Sequence, residues 1–282
     1  MSVINKIVEK YSEILSQNDI HNSKNEVEIL VGHFMNITKT EIYLKPNETM
    51  VNSILKLLDD AIAERITRKP LQYIIGNVPF LNTNIEVNEN VLIPRPETEF
   101  MVDLVINQSG LTNQKINILD LCTGSGAIAI ALKKNIPQTT VYGYDICEKA
   151  LQVAKKNAKM NNVEINFVKS DLFRIPNSEF RIKFDLIISN PPYIPPDVYY
   201  TLQPEIRFEP QIAFISENNG MFFYEKIISE ARDYMRQDGT LYLEIGENQI
   251  KYILSLAKKC EYKKIDVYKD LCEKNRIVRL KI

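Results

Sequence analysis

At 282 residues the chain is long for one hydrophobic core and suits a main domain with a smaller companion. Apolar residues at 45% and charged residues at 25% exclude general disorder, and 35 Lys plus Arg against 36 Asp plus Glu exclude an overall basic field of the kind that holds nucleic acid. Two histidines, His21 and His33, and four scattered cysteines without a CxxC leave no material for a zinc site, a disulfide framework or a His-dependent triad, so no metal is expected. The opening MSVINKIVEKYSEIL has no signal-peptide core and no stretch is apolar enough to span a membrane, which predicts a cytoplasmic protein.

Val3, Ile4, Ile7, Val8, Tyr11, Ile14 and Leu15 recur at helical spacing and predict an amphipathic helix. Val27, Leu30, Val31 and Phe34 predict a second, and Thr38 followed by Glu41 has the form of a capping box opening a short third. Asn47 is expected to cap a longer helix with Met50, Val51, Ile54, Leu57, Leu58, Ala61 and Ile66 facing inward. Residues 1–75 therefore read as an all-helical domain. From Pro79 to Ile93 β-branched residues flank Asn88, Glu89 and Asn90, predicting a β-hairpin that turns at those residues, within a linker over 76–100. In IPRPETEF two prolines fix an extended approach, and Glu97 or Thr98 is expected to cap the helix carrying Met101, Val102, Leu104 and Val105.

Over 101–282 short apolar runs, INILDL, TVYGYD, INFVKS, FDLIIS and TLYLEIG, mostly alternate with helical stretches, which implies an α/β domain with a parallel sheet. The last two runs, KKIDVYKDL and NRIVRLKI, are separated by too few residues for a crossover helix and must pair antiparallel. A mostly parallel sheet closed by such a hairpin resembles the seven-stranded, Rossmann-like class I methyltransferase sheet.

The first of these strands runs into DLCTGSG at 120–126, where Gly124 and Gly126 let the backbone approach a ligand and a helix begins at once. Cys122 stands where methyltransferase loops usually carry a first glycine, with Thr123 and Ser125 between the glycines. Asp145 ends the second strand, 21 residues after Gly124, where a carboxylate can accept hydrogen bonds from both hydroxyls of a ribose. An isolated Asp is more often a helix cap or a surface ion partner; in this register the ligand role is favoured. Asp171 and Leu172 end the third strand, at the expected adenine edge and face, and Asn190 ends the fourth, so these strand ends are expected to border one crevice.

Asn190, Pro191, Pro192 and Tyr193 form an NPPY stretch similar to that of S-adenosylmethionine enzymes that methylate a planar nitrogen conjugated to a ring or carbonyl. An amide nitrogen is a poor nucleophile because its lone pair is delocalised, as the rotation barrier of roughly 18 to 20 kcal/mol measures. The Asn190 side-chain oxygen and the Pro191 main-chain oxygen can each accept an N–H of an NH2 group and favour the partly cationic transition state. The prolines stiffen the backbone without adding a donor, and Tyr193 offers a face for stacking. A proline-rich turn ending a buried strand is the plain alternative; it does not account for the amide and the tyrosine that flank the prolines.

NPPY alone would also suit amino methylation of adenine or guanine in nucleic acid, for which neither a basic groove nor a recognition region is evident. RKPLQYIIG at 68–76, VLIPRPETE at 91–99, the loop at 120–126, ISNPPYIP at 188–195, FEP at 208–210 and LEIG at 243–246 together resemble, in order, the release factor glutamine methyltransferases, the HemK or PrmC type. The resemblance covers essentially the whole chain. It implies a helical N-terminal domain that docks the release factor, a hairpin linker and a Rossmann-like catalytic domain. It also implies S-adenosyl-L-methionine as cofactor and, as substrate, the glutamine of the GGQ motif in class 1 peptide chain release factors, without nucleic acid or membrane. Sister enzymes acting on a ribosomal protein typically carry a serine after the arginine of the PRPETE segment, so Pro96 and Glu97 favour the release-factor type. Two departures stand out: Phe208 replaces a usual tyrosine, and SENNG at 216–220 lacks a glycine pair and an aspartate. A non-enzymatic binding subunit would have no need to keep both Asp145 and NPPY.

Overall fold

The structure is a computed structural model that describes residues 2–107, 115–174 and 182–282. The chain divides into two compact units, Met1–Gly76 with Gln203–Phe208, and Asn77–Leu202 with Glu209–Ile282.

The first unit contains β1 (Ser2–Val3), α1 (Ile4–Gln17), α2 (Ser23–Met35), α3 (Lys39–Leu44), β2 (Thr49–Met50), α4 (Asn52–Ile66) and α5 (Leu71–Ile75). Ile4, Leu15, Val27, Leu30 and Leu58 are fully buried in its core. The capping box of α3 forms: Thr38 Oγ1 accepts the Glu41 N–H at 3.2 Å and the Glu41 carboxylate accepts the Thr38 N–H at 2.8 Å. Two expectations fail here. The unit is not all helical, because β1 and β2 pair as a two-residue antiparallel ladder. Nor does Asn47 cap α4; it lies in a turn, and the helix starts only after Val51. The cause of both is Met50, drawn into the ladder opposite Ser2 with its side chain fully buried. The late start turns Val51 and Leu57 to solvent and leaves Leu58, Ala61, Ile62 and Arg65 as the buried face. A buried guanidinium needs partners. Arg65 finds Glu26 at 2.6 Å and Glu205 at 3.1 Å, and Glu205 is the contribution of the segment Gln203–Phe208.

The second unit opens with the hairpin β3 (Asn77–Phe80) and β4 (Thr83–Glu86). Its turn is at Leu81–Asn82 and not at Asn88–Asn90, with Leu81 at φ +48°. Apolar residues continue at Val87, Val91 and Ile93, so alternation alone does not show where the ladder ends. It ends where it does because a helix captures the free edge of β4. That helix, the second of those between the strands below, presents Asn157, which accepts the Glu86 N–H at 2.8 Å and donates to the Glu86 carbonyl at 3.0 Å. One turn on, Asn161 does the same to Asn84, at 3.2 and 2.8 Å.

After α6 (Pro96–Asn107) come β5 (Asn117–Leu121), α7 (Ala127–Asn135), β6 (Thr140–Asp145), α8 (Glu148–Met160), β7 (Asn166–Lys169), β8 (Phe184–Ser189), α9 (Pro196–Tyr199), α10 (Glu217–Gly220), α11 (Phe222–Glu230), β9 (Met235–Glu244), α12 (Ile250–Lys259), β10 (Lys264–Lys269) and β11 (Asn275–Lys281). The seven strands from β5 onward form one sheet in the order β10-β11-β9-β8-β5-β6-β7. The pairs from β9 to β7 are parallel, whereas β11 runs antiparallel to both β9 and β10, as the short final connection requires. Strand order reverses between β5 and β8, and a crevice opens outside the carboxyl ends at such a point.

Candidate active site

The carboxyl end of β5 passes into Cys122–Gly126. Cys122, Gly124 and Gly126 all take positive φ, +63°, +53° and +81°. A Cβ on Gly126 would lie 3.1 Å from the Ala154 Cβ of α8, so this glycine allows helix and loop to close up. Around Gly124 a Cβ would meet nothing within 4 Å, which leaves open space beside the backbone. Cys122 adopts the conformation a glycine takes freely, at a steric cost of roughly 1 to 2 kcal/mol. Burial and the nearby Asp145 push its thiol pKa up, so it stays protonated.

Two carboxylates hold this loop. Asp120 is fully buried; its Oδ2 accepts the Thr123 hydroxyl at 2.5 Å and the Ala129 N–H at 3.2 Å, and its Oδ1 is buried without a hydrogen bond. Desolvation pushes its pKa up to about 7 against the opposing pull of those bonds. Asp145, at the end of β6, accepts the Gly124 N–H on Oδ2 and the Cys147 N–H on Oδ1, each at 2.8 Å. Burial raises its pKa, and the backbone N–H bonds oppose the rise. A carboxylate oxygen accepts more than one hydrogen bond, so both retain acceptor capacity toward a ligand.

Cys122, Gly124, Asp145, Asp171, Leu172, Asn190 and Pro192 line a single cavity of about 190 Å³. Leu92, Ile146, Ile212 and Phe223 add apolar walls, none of which sequence patterning singled out. The other expected site residues are not in the lining. Thr123 turns its hydroxyl to Asp120, the Ser125 carbonyl accepts the Asn157 amide at 3.0 Å, and Gly126 is packed on α8. Pro191 is buried, and Tyr193 points its phenol elsewhere. Open space at Gly124, a carboxylate with spare lone pairs and apolar walls are an acceptor and surface set that fits a nucleoside.

The NPPY stretch is held from behind. Ser189 donates to the Leu121 carbonyl at 2.6 Å, tying β8 to β5 at the crevice. The Asn190 side-chain NH2 donates to Thr98 Oγ1 at 3.0 Å, and the Thr98 hydroxyl donates to Glu244 Oε2 at 2.6 Å. The Tyr193 hydroxyl donates to Glu244 Oε1 at 3.4 Å, and its carbonyl accepts Gln249 Nε2 at 2.8 Å. Gly220 abuts the same carbonyl, so closely that a Cβ there would be 2.3 Å from the Tyr193 oxygen. Thr98 is thus not a helix cap. Glu244 is 1% exposed, and desolvation pushes its pKa up to about 7 while the Thr98 bond pulls it down.

Two more motifs meet at this wall. Glu209 accepts the Ile93 N–H at 2.8 Å and the Arg95 guanidinium, joining FEP to the PRPETE segment and setting Pro210 in the cavity lining. In SENNG, Asn218 and Asn219 both sit at left-handed φ, +52° and +54°. Asparagine tolerates that region best after glycine, so the missing glycine pair is replaced without loss of the turn. Among the described residues no group of three or more His, Cys, Asp or Glu could hold a metal ion, and no helix is long and apolar enough to cross a membrane.

A methyltransferase domain family matches residues 112–280, and a PrmC N-terminal domain family matches residues 6–76. The chain is 37% identical over 279 residues to a release factor glutamine methyltransferase of Thermodesulfovibrio yellowstonii, covering 98% of each chain. It is 37% identical to that of Streptococcus pneumoniae, covering 84% of each. A methyltransferase from Pyrococcus furiosus shares the fold, with TM-score 0.53 and 20% identity over 71% of this chain and 89% of the other.

Proposed function

The chain belongs to the release factor glutamine methyltransferase family, and from that premise we propose that it methylates the side-chain nitrogen of the glutamine in the GGQ motif of class 1 peptide chain release factors, in the cytoplasm and without nucleic acid. S-adenosyl-L-methionine supplies an electrophilic methyl group on a sulfonium when bound. Asp145 would hold the two ribose hydroxyls, with Gly124 giving close backbone approach. Asp171 and Leu172 would meet the adenine.

The observation that carries the catalytic reading is the state of Asn190. Its NH2 is committed to Thr98, which leaves its carbonyl oxygen as an acceptor at a residue bordering the cavity. An acceptor is what a glutamine NH2 requires, and its hydrogen bond strengthens as the nitrogen gains positive charge. The Pro191 carbonyl would take the second N–H, and Tyr193 and Pro192 would give the planar amide a rigid wall. No general base is needed before transfer, because the nitrogen becomes acidic only once methylated. The helical first unit would dock the release factor.

The test is mass spectrometry of a purified class 1 release factor after incubation with this protein and S-adenosylmethionine. One methyl group on the GGQ glutamine is expected, abolished by Gln→Ala at that position. Methyl transfer to ribosomal protein or to nucleic acid in parallel reactions, with none to the release factor, would overturn the reading.

A further inference from the structure

Glu244 is a carboxylate at the end of a central strand with essentially no exposure, and nothing in the cofactor reading uses it. Its two oxygens reach both polar ends of the NPPY stretch, Oε2 through Thr98 to Asn190 and Oε1 to Tyr193. It is fixed in place, since the Tyr224 hydroxyl donates to its main-chain carbonyl at 3.0 Å. Glu97, Arg276, Tyr193 and Tyr224 are charged and titratable groups that interact with it.

The direction of this chain of hydrogen bonds is dictated by chemistry. An ionised carboxylate only accepts, so the Thr98 hydroxyl spends its single proton on Glu244. The hydroxyl oxygen can then only accept from Asn190, which must present NH2. The Asn190 carbonyl is thereby turned the other way. Were the terminal acceptor removed, the order would be free to reverse: Thr98 would donate to the Asn190 oxygen, and the amide would flip its NH2 outward, where donor would face donor on a glutamine substrate.

We propose that Glu244 and Thr98 are positioning residues that fix the polarity of the Asn190 amide through a one-way hydrogen-bond relay and so hold its oxygen ready as the acceptor for the substrate nitrogen. The proposal rests on the glutamine-methylation reading for its catalytic consequence, and on the geometry alone for the orientation of Asn190.

Glu244→Met tests it most sharply, because size is nearly retained while both acceptor oxygens are removed. Single-turnover methylation of a class 1 release factor at saturating cofactor should fall roughly 10- to 100-fold in Glu244→Met and Thr98→Val. Affinity for S-adenosylmethionine should stay within about threefold, and Thr98→Ser should restore the rate. In an Asn190→Ala background, Glu244→Met should cost nothing further. A wild-type rate in folded Glu244→Met, or an undiminished effect once Asn190 is gone, would overturn the relay. Hydrogen exchange of the Asn190 side-chain amide, read by NMR in the full chain, needs no substrate. Protection in the wild type that is lost in Thr98→Val supports the relay; equal exchange in both sinks it, even if the release factor proves not to be the substrate.

Discussion

Replacement of Asp145 by Asn isolates what its charge does. Alanine would confuse the question, since it would orphan the N–H groups of Gly124 and Cys147, both held by this carboxylate at 2.8 Å. Asparagine keeps the shape and one acceptor oxygen. If the carboxylate holds two ribose hydroxyls, each bond falls from charge-assisted, about 1.5 to 3 kcal/mol, to neutral, about 0.5 to 1.5, a loss near 1 kcal/mol apiece. The NH2 also faces one of the two backbone donors, adding about 1 kcal/mol against the bound form of the loop. The sum, about 3 kcal/mol, predicts roughly 100- to 200-fold weaker binding of S-adenosylmethionine. Isothermal titration calorimetry on the two proteins measures it directly, with thermal melting as the check on folding. Burial raises the Asp145 pKa, so wild-type affinity should weaken as pH falls and the carboxylate gains a proton, and the asparagine variant should lack that dependence. A folded Asp145→Asn protein binding within about threefold of wild type would remove the ribose assignment.

Asn190→Ala should lower the single-turnover rate on release factor by roughly 100- to 1,000-fold, and a rate within a few-fold of wild type refutes the acceptor role. Tyr193→Phe should keep most activity, because the bond it loses to Glu244 is long at 3.4 Å, while Tyr193→Ala should lose much more; equal losses in the two would show that the hydroxyl and not the ring matters. With the Glu244 pKa pushed up to about 7, the methylation rate should decline as pH drops below that value and the relay's acceptor loses its charge, whereas Glu244→Met should show a low rate without that limb. Asp120 gives a stability test. Its native pKa of about 7 lies above the unfolded value near 3.8, so between these the native state binds the proton the unfolded chain has released, and stability falls as pH rises through that window and levels above it. Asp120→Asn should lack this slope and gain on the wild type by on the order of a few kcal/mol between pH 5 and pH 8 in urea melts; parallel pH profiles would contradict the burial argument.

The parts of this protein legible in sequence are those whose physics is local. A strand that must end in a glycine turn, a carboxylate at a fixed distance along the next strand and a final pair too close for a crossover all show in a short window, whereas the order of the strands in the sheet does not. Asn47 and Asn88–Asn90 are each locally a good cap or turn, yet the outcome is decided by partners far along the chain: Ser2 for Met50, Asn157 and Asn161 for β4. The same reason hid the wall behind the site. Thr98 next to two glutamates has the local appearance of a helix cap, and its real partner lies 146 residues away. Glu244 reads as one charged residue in an apolar strand, and such a residue is costly to bury unless hydrogen bonds occupy it. That cost could have marked it. TLYLEIG places a carboxylate where a core strand ends, beside the end of β8, so an ionisable group there needs donors from neighbouring segments, which are Thr98 of α6 and Tyr193 after β8. A buried charge at a strand end is thus a sequence-level demand for partners, and here those partners, Thr98 and Tyr193, tie it to the NPPY stretch.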